Sequence, residues 1–156
     1  MKHLIFLISL LSIISCSKDN NEKLNIDTSI DLSVKDSYGV DLLNPNNPNT
    51  LDVDAIEIQY VSNGQAITVN NINLDYPKGF FIYKHNNEYR MRLFPNDDKD
   101  ENYPITYIKW NGNDIDTLNC KIERNKNSQI CKAVWFNGSI VWDDYNKERY
   151  FVIEKN

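Results

Sequence analysis

The sequence predicts an all-β fold, an antiparallel β-sandwich, Ig-like or related, of about eight or nine strands in one domain. Three observations carry that expectation. From Asn25 onward, short apolar-alternating runs are separated by Asn, Gly, Pro and Asp, which is the punctuation of strands and turns. No window keeps a helical period, and the Asn-rich, β-branched composition works against helix. Finally, several Asn-led turns fold their flanks into hairpins whose apolar residues land on one face.

Taken in order, Ile26 to Val34 read as the first strand, followed by a loop at Lys35 to Gly39. Asp41 to Thr50 contains Pro45 and Pro48, which forbid regular pairing. A turn at Asn63-Gly64 sets Tyr60 opposite Ile67 and Ile58 opposite Val69, with Glu57, Gln59 and Thr68 on the other face. A turn at Asn86-Asn87 sets Phe80 opposite Leu93, Ile82 opposite Met91 and Lys84 opposite Tyr89. A turn at Asn137-Gly138 sets Trp135 opposite Ile140 and Ala133 opposite Trp142. Around Asn111-Gly112 the parity breaks: Ile108 and Ile115 match, but Leu118 and Cys120 then fall beside Asp114 and Asp116. A bulge or a crossing between sheets near Asp116 restores agreement.

A hairpin centred between Asn125 and Lys126 places Cys120 directly opposite Cys131. Direct neighbours on paired strands lie within disulfide reach, so these two are expected to form a structural disulfide. Leu118, Cys120 and Ile122 then share a side with Cys131, Ala133, Trp135, Ile140 and Trp142, which makes Trp135 and Trp142 core residues. Trp110, just before its turn, is the tryptophan expected at the surface.

Composition narrows function by exclusion. The chain carries 17 basic and 22 acidic residues for a net charge of −5, and its basic residues are scattered, so nucleic acid is not an expected partner. His85 is the one histidine beyond the N-terminal leader, and no zinc set, Gly-x-Ser-x-Gly elbow or phosphate-cradling glycine loop accompanies it. No metal, cofactor or catalytic residue is therefore assigned. Asn96, Asp98 and Asp100 alternate as a calcium loop begins, but Glu101 stands where the turn needs Gly and Tyr107 where the bidentate Glu belongs. The stretch 96–101 reads either as a non-standard calcium loop or as a solvated connection.

One face does suggest recognition. Around Asn86-Asn87 the outward side carries Phe81 opposite Arg92 and Tyr83 opposite Arg90. Rings interleaved with guanidinium groups can stack on a sugar and bond its hydroxyls. The alternative is that each arginine covers a cross-strand ring and shields the second face of a sheet.

The N-terminus supplies an address. Lys2 and the apolar run Leu4 to Ile14 form a signal-peptide pattern, far shorter than the roughly 20 residues of a membrane span. Ile13-Ile14-Ser15-Cys16 resembles the lipobox of bacterial lipoproteins, which implies cleavage before Cys16, diacylglyceryl attachment to its sulfur and acylation of the new amino terminus. Two or three chains make a durable membrane anchor. Lys18-Asp19 followed by Asn20-Asn21-Glu22 resembles the export signal of Bacteroidota surface lipoproteins. Asp41-Leu42-Leu43-Asn44-Pro45 and Ile56-Glu57-Ile58-Gln59-Tyr60 likewise resemble small uncharacterised lipoproteins of that group, a likeness that implies no activity.

The expected organisation is a signal peptide at 1–15, a lipidated polar tether at 16–25 and a sandwich at 26–156. The expected function is a lipid-anchored outer-membrane protein, surface-exposed or on the periplasmic face. It acts as a non-enzymatic binding or adhesion module for a glycan or protein. An accessory subunit of an outer-membrane complex is the alternative, and a small hydrolase the third reading.

Overall fold

Asparagine sets the hairpins. Among the described residues, the non-glycine positions with positive φ are Asn63 (51°), Asn86 (53°) and Asn137 (48°), a conformation asparagine tolerates better than other residues with a Cβ. The computed structural model describes residues 24–155. Within that range the strands are β1 (Asn25–Asp27), β2 (Ile30–Lys35), β3 (Glu57–Ser62), β4 (Gln65–Thr68), β5 (Phe80–His85) and β6 (Glu88–Leu93). They continue with β7 (Ile105–Asn111), β8 (Asp114–Asn125), β9 (Ser128–Phe136), β10 (Ser139–Trp142) and β11 (Tyr150–Glu154). The expected signal peptide, Cys16 and most of the tether lie outside the described residues. None of the described helical segments is long and apolar enough to cross a membrane.

Two sheets pack face to face. The larger has the order β1-β9-β8-β7-β3-β4, with β10 also paired to β9, and the smaller has the order β11-β2-β6-β5. The fold is the expected single-domain β-sandwich, built among the described residues from eleven strands rather than eight or nine and mixed rather than purely antiparallel. β1 runs parallel to β9, and β11 parallel to β2. The run expected as one strand, Ile26 to Val34, is divided: β1 belongs to the larger sheet and β2 to the smaller, with Thr28 and Ser29 between them.

The hairpin registers follow the turns. Tyr60 pairs with Ile67, Phe80 with Leu93, Ile82 with Met91, Lys84 with Tyr89 and Trp135 with Ile140. Each pair flanks a two-residue reversal, so local turn chemistry is enough to fix it. The core lies between the sheets: Ile30, Leu32, Val34, Met91, Leu93 and Ile153 from the smaller sheet meet Ile58, Ile108, Trp110, Leu118, Cys120 and Val134 from the larger. Leu42, Leu43 and Ile56, from the proline-bearing connection, are buried with them.

Three bulges change which side chains point inward, and the one at Val141 corrects an expected pairing by setting Trp142 opposite Val134 rather than Ala133. Lys109 pairs with Ile115 and Asn111 with Asp114, leaving Trp110 as the extra residue. Ile115 therefore turns out to solvent while Asp116 turns in. The irregularity expected near Asp116 is thus a bulge on the facing strand. Trp110, expected at the surface, is only 1% exposed. Its Nε1 donates to Asp116 Oδ2 at 2.7 Å, Asn137 Nδ2 donates to Oδ1 at 2.7 Å, and Lys155 Nζ lies 2.7 Å from Oδ2. Burial works to raise the Asp116 pKa, but these hydrogen bonds and the Lys155 charge outweigh it and hold the carboxyl below its ordinary range.

On β9, Lys121 pairs with Ala133 and Ile122 with Cys131, so Lys132 is the extra residue. Trp135 consequently leaves the core side and stands half-buried on the outer face, its ring 5.7 Å from that of Tyr103. The expected pairing of Cys120 with Cys131 is corrected by the position of the turn. The reversal sits at Lys126-Asn127, one residue later than expected, so Cys131 faces Ile122 and Cys120 faces Val134. Both cysteines are buried free thiols, and Cys120 hydrogen-bonds Cys131. That bond and burial push the Cys120 thiol well above its ordinary range.

Candidate functional site

The outward face of the smaller sheet is where the sequence placed recognition, and its register is the expected one, with Phe81 opposite Arg92 and Tyr83 opposite Arg90. The alternation of β6 buries Met91 and Leu93 on one side and turns Arg90 and Arg92 to the other. β2 adds Asp31 and Ser33 to that outer side, and β11 adds Tyr150.

These residues separate into three groups. Arg92 makes a bidentate pair with Asp31, Nε to Oδ1 and Nη2 to Oδ2, each at 2.8 Å. Tyr83 Oη donates to the same carboxylate at 2.8 Å, and the Arg92 guanidinium lies 5.3 Å from the Tyr83 ring centre. Arg90 is held elsewhere: its guanidinium lies 3.7 Å over the Tyr150 ring, Nε donates to Glu88 at 2.7 Å and Nη1 to Glu148 at 2.7 Å. With its side chain 8% exposed, Arg90 is part of the fabric of the sheet. Phe81 stacks on Tyr76 at 4.1 Å, beside Phe94, and forms an aromatic stripe that meets the Tyr83 ring at 5.7 Å. Arg92 thus covers a ring of the facing strand, as the shielding alternative expects, whereas Arg90 covers Tyr150 of β11, and of the two Arg92 alone remains substantially open, with its side chain 40% exposed.

Arg92 and Asp31 also form one wall of a cleft that sequence reasoning did not single out. The cleft holds about 310 Å³ and is completed by Asp27, Ser29, Trp142, Tyr145, Lys147, Glu148 and Arg149. Three chain segments meet there: the crossing between β1 and β2, the outer end of β6, and the connection from β10 to β11. No local pattern announces a site assembled this way, although Trp142-Asp143-Asp144-Tyr145 followed by Lys147-Glu148-Arg149 is dense in binding chemistry.

Arg149 organises the cleft floor. Its Nη1 donates to Asp27 Oδ1 at 3.0 Å and to the Ser29 carbonyl at 2.8 Å, and Nη2 donates to the Cys131 carbonyl at 3.3 Å. Its guanidinium lies 4.7 Å from the Trp142 ring centre, and its Nε is buried with no partner. Tyr145, 52% exposed, donates to Asp27 Oδ2 at 3.2 Å, and Lys132 Nζ lies 4.5 Å from its ring centre. The hydrogen bond from Arg149 is the main reason the Asp27 carboxyl sits below its ordinary range. At Asp31, burial works upward, but the bonds from Arg92 and Tyr83 prevail and lower it. Both carboxyl groups are therefore ionised at neutral pH.

The acidic stretch is a chain of turns. Asn96 Oδ1 accepts from Asp98 N at 3.1 Å and Asp98 Oδ1 from Asp100 N at 3.1 Å, while Asn96 Nδ2 donates to the Val61 carbonyl at 2.8 Å. Arg124 clamps it by donating to the Asp97 and Asp98 carbonyls at 3.1 and 2.7 Å. Comparison of the chain with protein-family models, curated proteins and solved structures finds no match.

Proposed function

We propose that this protein is a non-enzymatic binding module, exported and held at the outer membrane through lipid on Cys16, whose cleft beside Tyr145 takes a neutral glycan. The cleft's charge balance carries the reading: Arg92, Lys147 and Arg149 face Asp27, Asp31 and Glu148 around one half-exposed aromatic ring. A charged ligand meets as much repulsion as attraction there. Sugar hydroxyls, by contrast, both donate to carboxylates and accept from guanidinium groups. The Tyr145 ring offers a stacking surface for the apolar face of a pyranose. At about 310 Å³, the cleft lies at the small end of the ~300–1,000 Å³ range of ligand sites, which suits a terminal mono- or disaccharide unit. The candidate face of Phe81, Tyr83, Arg90 and Arg92 contributes through Arg92, with Tyr83 holding Asp31 in place.

On a glycan array, the chain is expected to retain neutral glycans, and Tyr145→Ala to weaken retention roughly tenfold through loss of the stacking surface. Tyr38→Ala, which removes a 90% exposed ring outside the cleft, should leave retention unchanged. Equal retention by Tyr145→Ala would remove the cleft from the account. The anchor has its own test: Cys16→Ala should move the protein from the membrane to the soluble fraction, and unchanged partitioning refutes lipidation.

A further inference from the structure

Among the edges of the two sheets, β4 is the one left undefended. β5 carries Lys84, β11 carries Glu154, β1 carries Asp27 and β10 runs straight into Asp143-Asp144. Such charges keep strand edges from pairing with another chain. From Ile58 to Leu74, by contrast, there is no charged residue and no proline. All four residues of β4 are exposed, Ile67 at 57%, and Ile72 and Leu74 beside it are 82% and 56% exposed.

The register shows which backbone groups the edge offers. Ser62 and Gln65 flank the Asn63-Gly64 turn, Tyr60 pairs with Ile67, and Val69 N donates to the Ile58 carbonyl at 2.8 Å. The groups of Gln65, Ile67 and Val69 therefore face β3, and by alternation those of Ala66 and Thr68 face outward. No described strand lies on that side.

We propose that β4 pairs antiparallel with β4 of a second copy of this chain, about a two-fold axis at Ile67. Charge and symmetry select this occupant. The whole chain carries a net charge of −5, so two copies repel least where the pairing strands carry no charge of their own, as from Ile58 to Leu74. Centred on Ile67, Ala66 of each copy faces Thr68 of the other. The outward N–H and C=O groups of both residues are then satisfied reciprocally, an isologous contact. Ile67 meets its own counterpart as a non-hydrogen-bonded pair, with Cα atoms ~4.5 Å apart.

That geometry predicts a specific cross-link. In the full chain exposed to a mild oxidant, Ile67→Cys should form a disulfide dimer on a non-reducing gel several-fold more readily than Ile72→Cys. Random collision would favour position 72, the more exposed of the two. Adding Thr68→Pro to the Ile67→Cys chain removes an outward N–H while sparing the bonds to β3, and should abolish the cross-link. Ile67→Lys, which sets two charges against each other on the axis, should leave sedimentation at high concentration monomeric where the wild type dimerises. Cross-linking equal at 67 and 72, a cross-link that survives Thr68→Pro, or a wild type monomeric throughout would each overturn the proposal.

Discussion

Asp116→Ala is expected to lower the stability of the domain by about 3–5 kcal/mol, the range for removing one partner of a buried ion pair. The carboxylate is 9% exposed and serves three donors, Trp110 Nε1, Asn137 Nδ2 and Lys155 Nζ. Alanine leaves the indole N–H buried without an acceptor and the Lys155 ammonium, 14% exposed, facing Asp114 alone. Asp116→Asn retains an acceptor for Trp110 and should cost less. The pH dependence has a definite sign. Because the folded-state pKa of Asp116 is lowered, its contribution is complete above the unfolded value near ~3.9 and is lost as pH falls through the folded value. Urea unfolding at neutral pH and again in acid should therefore show the wild-type advantage over Asp116→Asn shrinking in acid. An advantage independent of pH would contradict the ionised network.

Asp31→Ala is the second large effect, expected at about 2–3 kcal/mol. The loss is smaller because Arg92, 40% exposed, can return its charge to water once Asp31 is gone. Asp31 itself is 8% exposed and is reached by Arg92 through two bonds and by Tyr83 through one. Arg92→Leu alone strands the carboxylate and should cost a similar amount. The pair Asp31→Leu with Arg92→Leu should be less destabilised than the sum of the single changes, by more than 1 kcal/mol. Strict additivity in urea unfolding would show that the two side chains do not act as a unit.

Much of the fold was legible because its signals are local. Asn63-Gly64, Asn86-Asn87 and Asn137-Gly138 each fix a turn, and the pairs around them, Tyr60 with Ile67 and Phe81 with Arg92, follow by counting. What was illegible is non-local or consists of a single residue. The parallel pairing of β11 with β2 joins segments more than a hundred positions apart, with no turn between them to set a register. The bulges at Trp110 and Lys132 insert one residue each, and one residue reverses every side chain beyond it. This is why Trp110 and Trp135 exchange their expected places, whereas Cys120 and Cys131 are not directly opposed because the turn at Lys126-Asn127 falls one residue later than expected.

The same distinction governs the site. Tyr83 and Arg92 were visible as neighbours on one hairpin, but Asp31, which makes them a unit, arrives from β2. The remaining cleft residues come from the two crossings at the ends of the sheets. Arg90 illustrates the cost of reading one hairpin alone: its exposure is removed by Tyr150 and Glu148, from beyond the other end of the chain.

The most direct test of the account is an NMR titration of the folded domain with the neutral glycan best retained on the array. The indole N–H of Trp142, which donates to the Lys147 carbonyl at 3.2 Å, and the signals of Tyr145 and Arg149 should shift together and saturate. Those of the Tyr76, Phe81 and Phe94 stripe should stay in place. Saturable shifts at the stripe with none at Trp142 and Tyr145 would contradict the cleft as the binding site.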